Sequence, residues 1–260
     1  MENLLSSLSE SVPAAMTVAA LIMVIVEWLA LFITEKMEGH KEGWVNIACG
    51  AVSFLPVFLL NFLLTTTLMF GLYSVRLFDL GFEWWVWLLA YIGYDFMSFF
   101  THWASHKVRI LWAIHSVHHA PTEMKASVSF RGSFADFLVT PHISLWLPLL
   151  GFHPFMIIIV EGVAMLYGVP LHFSEKYMPK SEPSWLRKIF MTPSIHRLHH
   201  AKNPHYLDTN YSLTFSIWDH IFQTYQNHVD AEEPEYGVLR EHDSANFASS
   251  QTHEFKALWA

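Results

Sequence analysis

Long apolar stretches alternate with short polar segments over the first two thirds of the chain. Residues 12–33 and 47–70 each contain about the 20 predominantly apolar residues that a helix needs to cross a bilayer. Residues 84–100 form a third apolar stretch, which opens with a tryptophan cluster typical of a membrane interface. The pattern therefore predicts three membrane-spanning helices.

The fourth apolar stretch, residues 137–170, is interrupted near its middle by Pro148, Gly151 and Pro154. Its two arms of roughly 15 residues are each shorter than the ~20 needed for a span. We predict a short helical hairpin whose second arm returns to the side on which the first began. A single span with a kink at proline is the alternative.

The composition is that of an integral membrane protein. Of the 260 residues, 53% are hydrophobic and only 15% are charged, a balance that soluble domains seldom have. No Gly/Ser- or Pro-rich linker divides the chain, so residues 1–260 are predicted to form a single all-α domain. We expect a membrane helical bundle of three spans and one hairpin, capped by a helical, histidine-rich metal domain from residues 101–136 and 171–229. The acidic tail, 230–260, is expected to be a solvated surface.

Basic residues are distributed unevenly around the predicted spans. No Lys or Arg precedes the first span, and the loop between the second and third spans has only Arg76. The segments after the first span, the third span and the hairpin contain Lys36, Lys41, Lys107, Arg109, Lys125, Arg187, Lys188, Arg197 and Lys202. The positive-inside rule then predicts an N-terminus outside and a histidine cap in the cytosol, in a bacterial inner membrane or the endoplasmic reticulum. The net charge of −8 argues against nucleic acid as a partner.

Three short segments contain closely spaced histidines. They are H-x3-H (His102, His106), H-x2-H-H (His115, His118, His119) and a second H-x2-H-H (His196, His199, His200). Residues three or four apart share one face of a helix, so two imidazoles can bind one metal ion. With 17 histidines in 260 residues, chance gives roughly 0.07 matches to H-x-x-H-H, and the chain has two.

Eight imidazoles are more than one metal ion needs, so the three segments indicate two ions. No Glu or Asp lies inside the segments, and the one cysteine, Cys49, excludes a thiolate cluster. The predicted site is therefore rich in nitrogen and compatible with iron or zinc.

Two longer blocks around these histidines resemble a known family. Residues 94–131 (YDFMSFFTHWASHKVRILWAIHSVHHAPTEMKASVSFR) and 193–225 (PSIHRLHHAKNPHYLDTNYSLTFSIWDHIFQTY) are similar to the fatty acid hydroxylase superfamily, which includes sterol desaturases and alkylglycerol monooxygenase. The resemblance implies a non-haem di-iron enzyme that activates O2 at a lipid C–H bond. It also implies the metal ligands, which are His102, His106, His115, His118, His119, His172, His196, His199 and His200, with His172 as the additional histidine between the segments.

Three polar residues are candidates for a supporting catalytic role. Asp95 precedes His102 by two helical turns and lies within an apolar stretch, where a charge is costly and a functional role is the default. We expect its carboxylate to orient a histidine rather than to bind metal. Asp208 and Asn210, shortly after the last histidine segment, are expected to act in the same indirect way.

The expected function is that of an O2-dependent lipid hydroxylase or monooxygenase. A lipid (sterol) desaturase with the same site is the alternative. A membrane zinc protein is less favoured because the sequence lacks the glutamate base of H-E-x-x-H. A metal transporter is less favoured because transporter ligands lie near the bilayer midplane, whereas these histidines lie at or beyond the ends of the predicted spans. A membrane lipid is the expected substrate. Electrons would come from a separate reductase or small carrier, or from a reduced pterin, an option that rests on the resemblance alone.

Overall fold

The computed structural model describes residues 2–35, 40–60, 65–228 and 232–259. These residues form ten α-helices and no strand: α1 (Glu2–Glu35), α2 (His40–Leu60), α3 (Thr66–Ser74), α4 (Trp84–Lys107), α5 (Arg109–His119), α6 (Pro154–Leu171), α7 (Ser184–Ile189), α8 (Pro193–His199), α9 (Ile217–Ile221) and α10 (Phe247–Ala257). The all-α prediction is confirmed. Lys36, residues 61–64 of the predicted second span, residue 229 of the predicted cap and residues 230, 231 and 260 of the predicted tail lie outside the described residues.

By length and composition, three helices can cross a membrane: Ser6–Thr34 within α1, Lys41–Leu60 within α2, and α6. The predicted first span, 12–33, lies inside α1. The second prediction, 47–70, is shifted, since α2 begins at His40 and the residues from Thr66 onward belong to α3. Exposed apolar side chains cover α1 and α2, as expected of helices that face lipid.

The predicted third span, 84–100, lies in α4, but α4 is not among the three helices apolar enough to span. Tyr94, Asp95 and Ser98 make the middle of α4 polar, and all three are buried in the protein. The helix continues to Lys107, so that its last two turns contain His102 and His106. The extension of this helix beyond the apolar stretch agrees with the sequence, which has no proline there.

The predicted hairpin, 137–170, has two unlike arms. The first is a series of short 3-10 turns from Asp136 to Leu150, because Pro141 and Pro148 remove backbone donors that a longer helix needs. Gly151 then adopts a left-handed conformation with φ of 106°, where a Cβ would collide with the Phe78 carbonyl oxygen. The second arm is α6, whose 18 residues exceed the predicted ~15.

Helix α6 lies at the centre of the fold and packs against α1 and α4. Close approach to α1 depends on Gly162, since a Cβ there would lie 3.2 Å from the Pro13 Cα. Met156, Ile157 and Ala164 on α6 are fully buried. This packing fixes the C-terminal end of α6, and with it His172 at the C-cap.

The described part of the tail is not simply a solvated surface, which corrects the prediction for 230–260. Helix α10 packs on α5 and α2, and its Ser250 and Gln251 are buried. The reason is the buried guanidinium of Arg131, which donates to the Ser244 carbonyl at 3.1 Å and to the Ser250 hydroxyl at 2.6 Å. A buried cation needs such acceptors, and the tail supplies them.

Candidate metal centre

All nine predicted histidines lie in two adjacent clusters. In each cluster one ring nitrogen per residue comes within 4.8 Å of those of the other members. The five-histidine cluster consists of His102, His106, His115, His119 and His199, and the four-histidine cluster consists of His118, His172, His196 and His200. The clusters touch where His119 stacks on His200, with ring centroids 4.3 Å apart.

Helices α5 and α8 each contribute to both clusters. From α5, His115 and His119 belong to the five-histidine cluster, whereas the intervening His118 belongs to the other. The α8 segment does the reverse, since His196 and His200 belong to the four-histidine cluster and His199 does not. Helix α4 adds His102 and His106, and the end of α6 adds His172.

The four-histidine cluster contains ring nitrogens that cannot satisfy one another. His118 Nδ1 lies 3.2 Å from the Arg131 carbonyl oxygen, and His172 Nδ1 lies 2.8 Å from that of Gly168. A carbonyl only accepts, so both Nδ1 atoms carry the proton, and both Nε2 atoms present lone pairs. These two Nε2 atoms are 3.2 Å apart. Two lone pairs facing each other are unfavourable without a cation between them.

The spacing of these nitrogens fits a shared metal ion. The Nε2 atom of His196 lies 3.0 Å from that of His172 and 3.2 Å from that of His200. Two nitrogens that are each ~2.1 Å from one ion lie about 3.0–3.4 Å apart at octahedral or tetrahedral angles. The residues present therefore fit a metal ion.

The five-histidine cluster is oriented in the same way. His102 donates from Nδ1 to the Tyr211 carbonyl at 2.7 Å, and His199 donates to the Thr209 carbonyl at 2.7 Å. Their Nε2 atoms, together with that of His106, are buried and have no hydrogen-bond partner among the described residues. Orphaned acceptors of this kind are rare in proteins unless they bind an ion or a ligand.

Burial keeps the imidazoles neutral, which is the form that binds metal. Desolvation lowers the pKa of His102 and of His172 to about 4. It also lowers the pKa of the seven other histidines well below the ordinary value of 6.5. The clusters thus present lone pairs at neutral pH without competition from protons.

One loop orients two histidines, one from each of two segments, through its backbone carbonyls. The loop runs from Asp208 to Tyr211, and both Asp208 and Asn210 have positive φ, 62° and 59°. This conformation presents the carbonyls of Thr209 and Tyr211 to His199 and His102. Asn210 is fully buried and fixes the loop, because its side chain bonds both the amide and the carbonyl of Gln226, at 2.8 and 2.9 Å.

The predicted residue Asp208 lies at the edge of this loop. Its carboxylate bonds Lys107 Nζ at 2.7 Å and accepts from the Tyr211 hydroxyl at 3.2 Å. The side chain is half exposed. Among the described residues no hydrogen bond joins Asp208 or Asn210 to an imidazole, so any influence on the histidines passes through the backbone.

Asp95 contacts the segment after the last histidines rather than a histidine. Its carboxylate accepts from the amides of Thr214 and Phe215, at 2.8 and 3.1 Å, and from Trp218 Nε1 at 2.9 Å. No imidazole is among its hydrogen-bond partners in the described part of the chain. The expectation that Asp95 orients a histidine directly is therefore corrected: it anchors α4 to residues 214–218.

Asp219 is a supporting residue that the sequence reasoning did not single out. It is fully buried, and it accepts from the amides of Tyr211 at 2.8 Å and Ser212 at 2.9 Å. The Thr224 hydroxyl donates to it at 2.6 Å. Since the Tyr211 carbonyl accepts from His102, Asp219 holds the acceptor that orients this histidine. The only signal in the sequence is an aspartate inside the apolar run IWDHI.

Arg131 is a second supporting residue that the sequence did not indicate, because several of its partners are distant in the sequence. Its carbonyl accepts from His118, and its guanidinium donates to the Val117 carbonyl at 2.9 Å and to Asn46 at 2.7 Å. It therefore joins α2, α5 and the tail beside the four-histidine cluster.

Comparisons with known proteins show which family this chain belongs to. The fatty acid hydroxylase family model matches residues 87–224, more than half of the chain. Alkylglycerol monooxygenase of Homo sapiens is 26% identical over 92% of this chain and 52% of its own length. The enzyme of that name from Xenopus tropicalis is 27% identical over 83% and 48%, and the ornithine lipid hydroxylase OlsE of Rhizobium tropici is 26% identical over 58% and 45%.

The chain thus spans about half the length of the curated relatives that it matches. No solved structure matches it significantly. The family match covers most of α4 and all of α5, α6 and α8, and so includes every histidine of both clusters. The chain belongs to the fatty acid hydroxylase family.

Proposed function

We propose that this protein is an O2-dependent, non-haem di-iron hydroxylase of a membrane lipid. The reaction would be lipid C–H plus O2, two electrons and two protons, giving lipid C–OH plus water. The observation that carries the proposal is the pair of buried imidazole clusters with lone pairs that converge. The relatives, an alkylglycerol monooxygenase and an ornithine lipid hydroxylase, support the choice of a lipid hydroxylation.

Two iron ions, bound by the five and by the four histidines, would supply the activation of O2. Zinc, an ion of similar softness, would fit the same imidazoles but has no redox chemistry with which to activate O2. The chain itself would orient the imidazoles, keep them neutral and exclude bulk water. The carbonyls of Tyr211 and Thr209 in one cluster, and of Arg131 and Gly168 in the other, fix the tautomer and direction of the histidines. Burial keeps the imidazoles neutral and excludes bulk water.

A membrane lipid is the proposed substrate because the clusters lie where helices meet the cap. His102 and His106 occupy the last two turns of α4, and His172 follows directly on the candidate span α6. We propose one domain with an N-terminus outside and a cytosolic histidine cap, in a bacterial inner membrane or the endoplasmic reticulum, on the asymmetry of Lys and Arg.

The reaction needs two electrons for each O2, and we assign their delivery to a separate partner. That partner would be a reductase or a small electron carrier, or a reduced pterin. A desaturase would use the same site and electrons, and it would differ in losing a second hydrogen from the lipid instead of gaining a hydroxyl group.

The test is anaerobic purification with a metal count, followed by O2 consumption by the ferrous protein with lipid and a chemical reductant. We expect about two irons per chain and product that contains oxygen from labelled O2. Unsaturated product without added oxygen would assign the desaturase instead. Tightly bound zinc from iron-replete cells, with no O2 consumption after iron reconstitution, would refute both.

A further inference from the structure

A cavity of about 560 Å³ lies between the first two helices and the cap. Val24, Trp28 and Leu31 of α1 and Gly43 of α2 form one side of it. The other side is mostly polar and comes from the segments that follow the histidines and from residues 234–236 of the tail. The volume is within the ~300–1,000 Å³ of sites that bind small ligands.

The apolar side of the cavity lies at the ends of two candidate spans. Trp28 and Leu31 belong to the last two turns of Ser6–Thr34, and Gly43 belongs to the first turn of Lys41–Leu60. Trp28 contacts Trp44 edge to face, with centroids 4.9 Å apart. Tryptophans of this kind concentrate at the level of lipid headgroups. The cavity is therefore at the depth where a lipid has its polar part.

The polar side adjoins the four-histidine cluster. Lining residues follow three of its members closely: Thr122 comes four residues after His118, Ser174 two after His172, and Lys202 two after His200. Two residues span at most about 7 Å of chain, so the cavity wall and the cluster are neighbours.

Helix α1 is fixed to the same segments. Glu27, which also lines the cavity, accepts from the amide of Ser174 at 2.6 Å and from the amide of Ala126 at 2.5 Å. The lipid-facing helix and the cap therefore meet at this wall.

The charges of the lining are nearly balanced. Three lysines (Lys125, Lys176, Lys202) accompany four glutamates (Glu27, Glu123, Glu175, Glu235). Lys125 pairs with Glu123 at 2.6 Å and Lys202 with Glu235 at 3.9 Å, while the Glu175 carboxylate accepts from the Tyr236 hydroxyl at 3.0 Å. Such a lining offers both donors and acceptors, but no excess of positive charge for an anion.

We propose that this cavity binds the headgroup of the lipid substrate, and that the headgroup has no net charge and donates hydrogen bonds through hydroxyl or ammonium groups. The inference rests on the proposed function in that the bound lipid is the one oxidised. The acyl or alkyl chain would lie along α1, and the headgroup would hold its lipid beside the four-histidine cluster.

The experiment measures lipid binding without turnover. Full-length protein in detergent is titrated with dioleoylglycerol, phosphatidylethanolamine and phosphatidylglycerol, and native mass spectrometry counts the retained lipid. We expect the first two to bind at least five-fold more tightly than the anionic phosphatidylglycerol. Preference for dioleoylglycerol alone assigns a hydroxyl headgroup, and preference for phosphatidylethanolamine alone assigns an ammonium. Equal or tighter binding of phosphatidylglycerol would overturn the charge argument.

Gly43 lines the cavity, so the variant Gly43→Phe places a phenyl ring in it. The backbone has room for the side chain, because the atoms nearest to a Cβ at this position are in the Trp28 ring, at 3.9 and 4.0 Å. We expect at least a five-fold loss of binding in this variant. The matched control is Gly71→Phe on α3, where nothing lies within 4 Å of a Cβ, and it should bind as the wild type does. Equal binding by the two variants would overturn the site.

Labelling of the unmodified protein provides a second measurement that does not depend on a variant that folds. A diacylglycerol with a photoreactive headgroup should label peptides that contain residues 24–31 or 122–127, and labelling confined to other peptides would overturn the site. Neither assay needs iron, O2 or a reductant. Headgroup binding here without lipid oxidation would refute the proposed function alone, and wild-type lipid binding and oxidation by Gly43→Phe would refute the cavity alone.

Discussion

Replacing Asp219 with asparagine tests whether the loop after the last histidines orients the five-histidine cluster. The carboxylate accepts from the amides of Tyr211 and Ser212 and from the hydroxyl of Thr224. An asparagine of the same shape has one acceptor oxygen and one amino group. At least one buried donor would then face another donor. The Tyr211 amide would bond a neutral oxygen at best, which weakens the support of the Tyr211 carbonyl that accepts from His102.

The magnitude follows from these contacts. One buried donor without a partner costs about 1–3 kcal/mol, and each remaining hydrogen bond loses about 1 kcal/mol when its acceptor becomes neutral. With one donor orphaned and two hydrogen bonds weakened, we expect Asp219→Asn to lower the free energy of unfolding by about 3–5 kcal/mol. Loss of a group that orients a metal-binding histidine weakens metal affinity by about 10–100-fold.

The matched control is Asp208→Asn in the same loop. Asp208 is half exposed and forms a surface ion pair with Lys107, which is a pair of the kind worth about 0–1 kcal/mol. Asparagine also tolerates the positive φ of this position. We expect this variant to keep wild-type metal affinity.

The assay compares both variants with the wild type in two ways: metal affinity of the folded protein by competition with a chelator, and thermal unfolding by tryptophan fluorescence. A purely structural role would lower the melting temperature and leave metal affinity unchanged. If Asp219→Asn bound metal within two-fold of the wild type, the inference that this loop orients His102 would be wrong.

Three further changes test other parts of the structure. His118→Ala should abolish lipid oxidation and lower the metal content while membrane insertion stays intact. The control, His142→Ala at an exposed position, should change neither lipid oxidation nor metal content. Wild-type turnover by His118→Ala would remove this histidine from the site. Burial lowers the pKa of His253. The unfolded chain therefore binds a proton at this residue at a higher pH than the folded protein does, and stability falls as pH drops below ~6.5. Between pH 7.5 and 5.5 the melting temperature of His253→Leu should fall less than that of the wild type, and an equal fall would contradict this. Gly162→Val should destabilise the α1–α6 contact, where a Cβ would lie 3.2 Å from Pro13, by about 1–3 kcal/mol, and an unchanged melting temperature would show that α1 can move aside.

Local spacing predicted much of the site because the relevant geometry is local. His102 and His106 share a face of α4, and the proline-free sequence after residue 93 already indicated that this helix extends past the membrane. The same holds for α5, where His115 and His119 lie one turn apart. Proximity between the segments is not local. It was inferred from the number of imidazoles and from a hairpin that returns the chain to its starting side, and the resemblance to a family supported it.

Asp95 and Asp208 were predicted as supporting residues, but the partners of the carboxylates could not be predicted, because some of them are far away in the sequence. Asp95 contacts Thr214, which follows it by 119 residues. Asp219 and Asp208 both come shortly after the last histidines, and the apolar neighbours of Asp219 are the one sequence feature that hints at its burial. Only packing decides that Asp219 faces the loop while Asp208 faces Lys107.

The third predicted span, in α4, differs from the third candidate span of the structure, α6, and the difference has a physical reason. Hydropathy predicts which helices contact lipid, but α4 contacts protein on several sides and so accommodates Asp95 and Ser98. Helix α6 is apolar throughout and still largely buried, because it fills the space between α1 and α4. Proline and glycine in the predicted hairpin marked the start of α6 correctly, and its length could not be inferred from them.

The motif H-x-x-H-H explains how two short helices can serve two clusters. With ~100° per residue, His119 lies about 40° around α5 from His115, and His118 lies about 60° in the other direction. Each such helix therefore presents two imidazoles to one side and one to the other. In α5 the pair belongs to the five-histidine cluster, and in the α8 segment the pair, His196 and His200, belongs to the four-histidine cluster.

The two motifs alone would give three histidines to each cluster, so the difference between five and four comes from the neighbouring helices. Helix α4 adds a pair of imidazoles to one cluster, whereas the end of α6 adds only His172 to the other. The cluster with fewer imidazoles is also the one that adjoins the cavity between α1 and the cap. O2 would need a coordination position that the protein leaves open, and a lipid held in the cavity would lie beside it, so we expect the lipid to approach from the four-histidine side.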